Sequence, residues 1–301
     1  MKPHDRIPFP RADGSRLAPA CLQARAGLTR RASEPSSRGM LFSDILDSAK
    51  VDGGVWSSVV GADWLQGRSV FGGLQSAMAL RAMRGVVPAD VPLRVLQTTF
   101  VAPVPAGKVA VRARVLRTGK NVTHVEASIL DGDATAALFV GVFGRDRPSR
   151  VEVAPKLEVV EGTEASRVPR MRPPGVAFAE HFSIRWLRGD PPLSGSRRTD
   201  AVIEAAMDDR AKVASEEHVV AIADFPPPLA LSFLESPAFG SSVTWTLEML
   251  GGLRADLPLE GWQLHIDLTA AGGGYTSQSV FVCGPGGEAV ALSRQSMVVF
   301  G

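Results

Sequence analysis

Cysteine is nearly absent from this chain: its 301 residues hold two, Cys21 and Cys283. No disulfide framework follows from two cysteines, and no Cys/His spacing of the metal-ligating kind occurs, so the sequence calls for no bound metal and fits a reducing, cytoplasmic compartment. Long apolar runs are also missing. The longest, residues 136–144, is far below the ~20 residues that a spanning helix needs. Charge of one sign is lacking as well, with 33 Lys and Arg against 31 Asp and Glu. Eight of the basic residues and three of the acids fall in the first 39 positions, which leaves the remainder slightly acidic and without a footprint for nucleic acid. No Gly-x-Ser-x-Gly elbow occurs, which excludes a serine nucleophile of the α/β-hydrolase kind. The letters Gly284-Pro285-Gly286-Gly287-Glu288-Ala289 match a dinucleotide fingerprint, but they join two strands and precede no helix, so no cofactor is expected from them.

What is present reads as a globular, core-forming chain, 45% hydrophobic and long enough for two ordinary domains. Residues 1–39, rich in Arg, Pro, Ala and Ser, show no apolar period and read as a disordered leader outside the fold. Met40 opens the segment LFSDILDSAK, amphipathic, with Ser43 placed as a helix cap. A first domain, 40–145, then runs strand, helix, several strands. Gly72 and Gly73 lead LQSAMALRAMRGV, where Leu74, Met78, Ala82 and Val86 recur at near-helical spacing. PLRVLQTTFVAPV, KVAVRARVLR, VTHVEASIL and ATAALFVGVFG follow as strands, with a hairpin turn at Thr118-Gly119-Lys120-Asn121. Residues 146–175 have little periodicity and read as a linker. The same order returns over 176–301: HFSIRWL, the helical EEHVVAIAD halted by Pro226–Pro228, then SVTWTLEML, WQLHIDLTA, YTSQSVFVC and AVALSRQSMVVFG. Both halves end in Val-Phe-Gly, at Val142-Phe143-Gly144 and Val299-Phe300-Gly301. Aligning those ends puts Gln295 opposite Leu138. A repeat of α+β units, each a long helix with a curved antiparallel sheet, is the expected architecture.

In this order of elements the chain resembles the double-hotdog acyl-CoA thioesterases of type II. Phe71-Gly72-Gly73 is similar to that family's Phe/Tyr-Gly-Gly helix opening. Gln97-Thr98-Thr99-Phe100-Val101-Ala102-Pro103 is similar to its proline-ended strand, and Gly274-Tyr275 with PGGEAVALSRQSMVVFG to its closing hairpin. The resemblance covers about residues 45–301. It implies a tandem hotdog with one composite active site, an acyl-CoA substrate, and an Asp, a Thr or Ser, and a Gln of the second repeat holding the attacking water. Gln295 matches the Gln position, and Thr269 is the nearest match to the hydroxyl. Trp245 falls where the acid belongs, so either the acid comes from elsewhere, with Asp224 or Asp267 as candidates, or the mechanism differs. Gly72, Gly73, Gln75 and Tyr275 are the substrate-binding candidates, and double-hotdog units of this kind also allow a homo-oligomer.

The chemistry of these residues is consistent with that expectation. A helix start offers unpaired N–H groups and a positive dipole end to a developing oxyanion, and Gly72 and Gly73 let a thioester approach it. Gln295 carries an amide on a strand face that is otherwise apolar, so it needs partners. Asp224 ends an apolar helix, where a carboxylate is costly unless paired; it reads either as a general base with raised pKa or as an exposed helix-end acid near the proline run. Thr269 equally reads as an ordinary strand threonine, and Arg112 and Arg114 as a solvated strand face or a contact to phosphates. His124, His181, His218 and His265 are scattered without metal spacing. Two other functions stay open at this level: a non-catalytic acyl-thioester binding protein, motivated by Trp245, and a hydratase or dehydratase, which would want a histidine and an acid together near the helix entry.

Overall fold

Alternation in one strand fixes which way the whole sheet faces. In Ala289–Phe300, Ala291, Ser293, Gln295 and Met297 are buried while Arg294 and Ser296 are exposed, the period of two expected of a strand with one face on a core. The structure, a computed structural model, describes residues 39–153, 155, 157, 159–161, 175–251 and 253–300. The leader, all but Gly39, and most of the linker lie outside the described residues.

In chain order the strands are β1 (Lys50–Asp52), β2 (Val55–Val60), β3 (Leu65–Gln66), β4 (Ser69–Val70), β5 (Leu93–Phe100), β6 (Gly107–Thr118), β7 (Val122–Asp131) and β8 (Ala134–Gly144) in the first half. The second half supplies β9 (Phe182–Arg188), β10 (Asp200–Met207), β11 (Phe239–Met249), β12 (Trp262–Gly272), β13 (Tyr275–Cys283) and β14 (Ala289–Phe300). Twelve of them form one antiparallel sheet in the order β1-β2-β6-β7-β8-β5-β11-β14-β13-β12-β10-β9, while β3 and β4 make a separate ribbon. The order is a palindrome about the β5–β11 junction, where Thr244 pairs with Thr99 and Glu248 with Val95. Each half thus contributes six strands, and the halves join edge to edge.

Three helices accompany the sheet: α1 (Phe42–Asp47), α2 (Gly72–Arg84) and α3 (Glu216–Ala223). Ten of the thirteen residues of α2 are buried, so it is wrapped on nearly all sides, as expected of a helix with so few charges. It lies close to β8, where a Cβ on Gly141 would sit 2.6 Å from Met83 Sδ. The second helix is much shorter than a long-helix repeat predicts. α3 has eight residues and stops at Asp224, because Pro226, Pro227 and Pro228 remove the donors that a continuing helix needs. Only a 3₁₀ turn, Leu229–Phe233, resumes beyond them.

Two further sequence expectations change. Ser43 does not cap α1. The N-cap is Leu41 without a side-chain cap bond, and the Ser43 hydroxyl and N–H both donate instead to Asp209. β10 has no counterpart in the sequence reading. Its residues Ala201, Val202 and Ile203 are all buried, so DAVIEAAM lacks the alternation that marks a strand with one wet face.

Residues 39–301 form one compact unit, and cutting the chain after the first half would bare the β5 edge and the α2 surface that meets α3. Residues 40–145 expressed alone are therefore expected to self-associate or precipitate. Analytical ultracentrifugation checks this, and a soluble monomeric half would show that the two halves do not need each other.

Candidate active site

The sheet junction and the two helices bring one carboxylate, one amide and one hydroxyl together. Asp224 is the residue at which α3 ends. Its carboxyl accepts a hydrogen bond from Gln295 Nε2 on β14 at 2.5 Å. The same Nε2 donates to Ser242 Oγ on β11 at 3.0 Å. The backbone N–H of Gly73, in the first turn of α2, also donates to the Asp224 carboxyl. The acid from the second half is therefore held by a helix start from the first.

Two glycines make this approach sterically feasible. A Cβ on Gly72 would lie 2.7 Å from Asp224 Oδ2 and 2.9 Å from Phe100 Cζ. A Cβ on Gly73 would lie 2.6 Å from the Phe71 ring and 3.0 Å from the Ala221 Cα of α3. Any side chain at 72 displaces the carboxylate, and any at 73 separates the two helices.

The surroundings of Asp224 are aromatic. Phe71 stacks on Phe178 at 4.0 Å and Phe182 on Phe225 at 4.4 Å, all four buried. Desolvation pushes the Asp224 pKa up to about 7, against the opposing pull of the Gln295 amide and the Gly73 N–H. A group that titrates near neutrality and keeps a hydrogen-bonded geometry is suited to proton transfer.

Ser242 enters the site through a β-bulge. Register with β14 is Ser242↔Met297 on one side and Trp245↔Gln295 on the other. Three steps along β11 thus match two along β14, with the irregularity between Ser242 and Thr244. The extra residue turns Ser242 to the same face as Trp245, where strict alternation would have pointed it outward. No periodic reading of the sequence signals this. Trp245 fills the adjacent row, buried, with its indole N–H donating to Ser293 Oγ at 2.7 Å.

The other sequence candidates are not in this cluster. Thr269 is exposed on β12, and its hydroxyl donates to Asp267, also exposed, at 3.2 Å. Gln75 is buried in the first turns of α2, with its amide nitrogen on Val70 O at 2.6 Å and Ser69 Oγ at 3.3 Å. It fastens the β3–β4 ribbon to the helix. Tyr275 is exposed, across from Val298 on the outer face. The Gly73 N–H, expected to meet an oxyanion, is engaged by Asp224. The Leu138 equivalence is out of phase: Leu138 is exposed, whereas its neighbour Phe139 is buried on the inner face of β8.

Two histidines have carboxylate partners. His218 Nε2 meets Asp209 Oδ2 at 2.9 Å, and His181 Nε2 meets Asp63 Oδ2 at 2.9 Å with its ring stacked on Trp64 at 3.9 Å. The second pair pins a segment of one half to the other, while Asp209 and His218 both lie in the second half, where Asp209 also accepts from Ser43 of the first. Among the described residues no group of three or more metal-ligating side chains occurs, and no helix is long and apolar enough to cross a membrane.

Comparison with known proteins agrees with this architecture. Residues 60–144 match the model of the acyl-CoA thioesterase N-terminal domain, and residues 158–299 that of the C-terminal domain. Among solved structures, a hot dog fold protein from Alicyclobacillus acidocaldarius is similar with a TM-score of 0.75 at 20% identity, covering 86% of this chain and 98% of its own. The acyl-CoA thioesterase II TesB2 of Mycobacterium marinum has a TM-score of 0.65 at 14% identity, over 86% of this chain and 96% of its own. A tesB protein of Mycobacterium avium subs paratuberculosis has a TM-score of 0.67 at 14% identity, over 86% and 98%. At these identities the likeness is one of fold. No curated protein sequence matches the chain.

The raised pKa carries a stability signature. The native state binds a proton at Asp224 up to about pH 7, whereas the unfolded chain releases it near pH 4. Stability therefore falls as pH rises through that window, and the deficit persists above it. Asp224→Asn is expected to melt higher than the parent at pH 8, by about 3 °C or more, and to differ little at pH 4. Paired melting curves at the two pH values check it.

Proposed function

We propose, from the premise that this chain belongs to the acyl-CoA thioesterase family, that it hydrolyses acyl-CoA to free acid and CoA by direct water attack at Asp224, Gln295 and Ser242. The chain is a thioester hydrolase with the acyl-CoA thioesterase domain pair. The observation that supports the choice of residues is the Gln295 amide bridging Asp224 and Ser242 beside the start of α2.

Each group has a distinct part. Ser242 Oγ accepts from Gln295, so its own proton is free to orient a water or to meet the thioester oxygen. Asp224, ionised, takes the proton of that water as its oxygen attacks the thioester carbon. The tetrahedral intermediate collapses with loss of the CoA sulfur, and the proton on Asp224 returns to the departing thiolate. No covalent acyl-enzyme is needed, and the water adds across the C–S bond with atoms balanced. The positive end of the α2 dipole favours the negative charge that builds up during attack. Gln295 fixes the acid and the hydroxyl in one geometry, which is where positioning contributes to rate.

The observation behind a non-catalytic reading was a tryptophan at the acid's place. Trp245 lies one row deeper, and an acid reaches the centre from α3. Pairings of histidine and acid, which a hydratase would want, occur at His181 with Asp63 and at His218 with Asp209. Asp209 also accepts from Ser43, and His218 Nδ1 accepts from the Ser215 N–H in capping α3. His181 is buried, with one ring face stacked on Trp64 and Nε2 committed to Asp63, which reads as a structural clamp. The cytoplasm and acyl-lipid metabolism remain the setting we infer for this activity.

Gln295→Leu and Asp224→Asn are each expected to lower kcat by about 100-fold or more, the scale of losing one positioned polar group. Ser242→Ala should lose at least about 10-fold, and Thr269→Ala should match the parent. A free-thiol assay with acyl-CoAs of graded length measures all four. Parent-level turnover in Asp224→Asn would place the chemistry elsewhere. A loss in Thr269→Ala equal to that in Ser242→Ala would remove the distinction between the two hydroxyls.

The acid limb follows from the same pKa. Activity is expected to rise with pH through a midpoint near 7, because the ionised form is the active one. A kcat–pH profile that is flat from pH 5 to 8 would count against Asp224 as base.

A further inference from the structure

We infer that Phe100, a first-half residue with no polar atom in its side chain, is a positioning residue of the centre: its ring shields the Asp224 carboxyl from water and thereby sets the pH range in which the acid works. This rests on the reading of Asp224 as the base. It assigns to the first half a role beyond the helix start.

The geometry comes from three independent observations. The Phe100 Cζ and the Asp224 Oδ2 flank one point, the position a Cβ on Gly72 would take, at 2.9 and 2.7 Å. Ring edge and carboxylate oxygen therefore border the same space over a glycine. Next, the register of β5 places Phe100 on the inner face one row from Thr98, opposite Ala137 of β8. The β5–β11 ladder carries Trp245↔Thr98 and Thr244↔Thr99, so the row of Phe100 runs into the bulge that presents Ser242. Finally, Phe100 is half-buried and packs against the core. It is less enclosed than the stacked rings of Phe71 with Phe178 and Phe182 with Phe225, which are buried.

A partly exposed ring in that place has a defined physical effect. Water that would solvate the carboxylate is replaced by a hydrocarbon surface that cannot hydrogen-bond, which disfavours the charged form. Among the described residues no ionised side chain acts on Asp224. Its neighbours from α3, α2 and β14 are apolar groups, the Gly73 N–H and the Gln295 amide. From β5 it meets the Phe100 ring, and from β11 the nearest polar group is the neutral Ser242. With no local charge to raise the pKa, the apolar walls are the lever, and Phe100, half-buried, is a wall that a substitution can remove without emptying the core.

The test compares Phe100→Ala with Phe100→Leu. In Phe100→Ala, water reaches the carboxyl. The acid limb of kcat is expected to move down by about one pH unit, with lower kcat on the plateau because the base is weaker. Phe100→Leu keeps an apolar wall and should retain the parent midpoint. A direct titration of the Asp224 carboxyl carbon by NMR, assigned by its loss in Asp224→Asn, reads the same shift without turnover. If that titration moves in Phe100→Ala while no thioester is hydrolysed by any variant, the shielding stands and the catalytic reading falls. If Asp224 titrates at the same pH in the parent and in a folded Phe100→Ala, the inference is overturned. A Phe100→Leu profile displaced as far as that of Phe100→Ala overturns it too, since shape rather than shielding would then be at work.

Discussion

The centre of this molecule depends on one close approach, that of the Asp224 carboxyl to the first turn of α2. The acid ends the helix of one half and is held by the Gly73 N–H of the other. For that contact to exist, α3 must stop where it does, two consecutive glycines must open α2, and the two helices must lie close enough for Gly73 to meet Ala221. The edge-to-edge joining of β5 and β11 sets the helix spacing. Sheet continuity, helix packing and proton chemistry are consequently one requirement, expressed at three scales. Marginal stability gives this weight: a buried carboxylate opposes folding above its unfolded pKa, and the apolar burial around it, residues such as Phe139 and Trp245 worth about 1.5–3 kcal/mol each, has to offset that cost.

Much of the fold was legible because it rests on periodicity. The glycine-led helix, the strands with one wet face and the repeat of their order are all local patterns, and the structure shows them within a few residues of where the sequence places them. Asp224 and Gln295 were legible for another reason. Each is a polar group set in an apolar run, and such a group calls for a partner. They turn out to be each other's partner, across 71 positions of sequence. The pattern failed where the backbone departs from its period. A single extra residue at the bulge in β11 brings Ser242 inward, whereas Thr269, nominated by the family resemblance, faces out. Aligning the two Val-Phe-Gly ends failed in the same way. Phe143 is buried and Phe300 exposed, so identical letters sit in opposite phase, and Gln295 was matched to an outward leucine. β10 was missed because burial on both faces leaves no period to read.

The duplication is symmetric in its strands and asymmetric in its helix ends, and the asymmetry explains why one centre forms. By the palindrome of strand order, the start of α3 corresponds to the start of α2. There, in place of two glycines, stand Glu216 and Glu217 behind the N-cap Ser215. The Glu216 carboxylate accepts from Arg84 Nε at 3.0 Å and from the Leu93 N–H at 3.0 Å. Arg84 in turn lies over the Phe143 ring at 4.8 Å. At this helix start the favourable site for negative charge is already occupied by a permanent anion with its own guanidinium. Glu217 next to it is paired with Arg81, which also reaches Asp47. A glutamate held by arginine has its charge fixed, and the pKa of Glu217 is lowered despite its burial.

The two helix starts thus show what separates a structural acid from a chemically useful one. Both hold a carboxylate, and both are largely enclosed. Around Glu217, burial is outweighed by Arg81 and by the Ser215 hydroxyl, so the group stays ionised over the physiological range. Around Asp224 the donors among the described residues are an amide and a backbone N–H, neither charged, so desolvation prevails and the proton remains exchangeable near neutrality. What separates them is whether a fixed positive charge accompanies the acid. Placing arginine beside one acid and glutamine beside the other is therefore enough to turn two related helix ends into an anchor and a reaction centre.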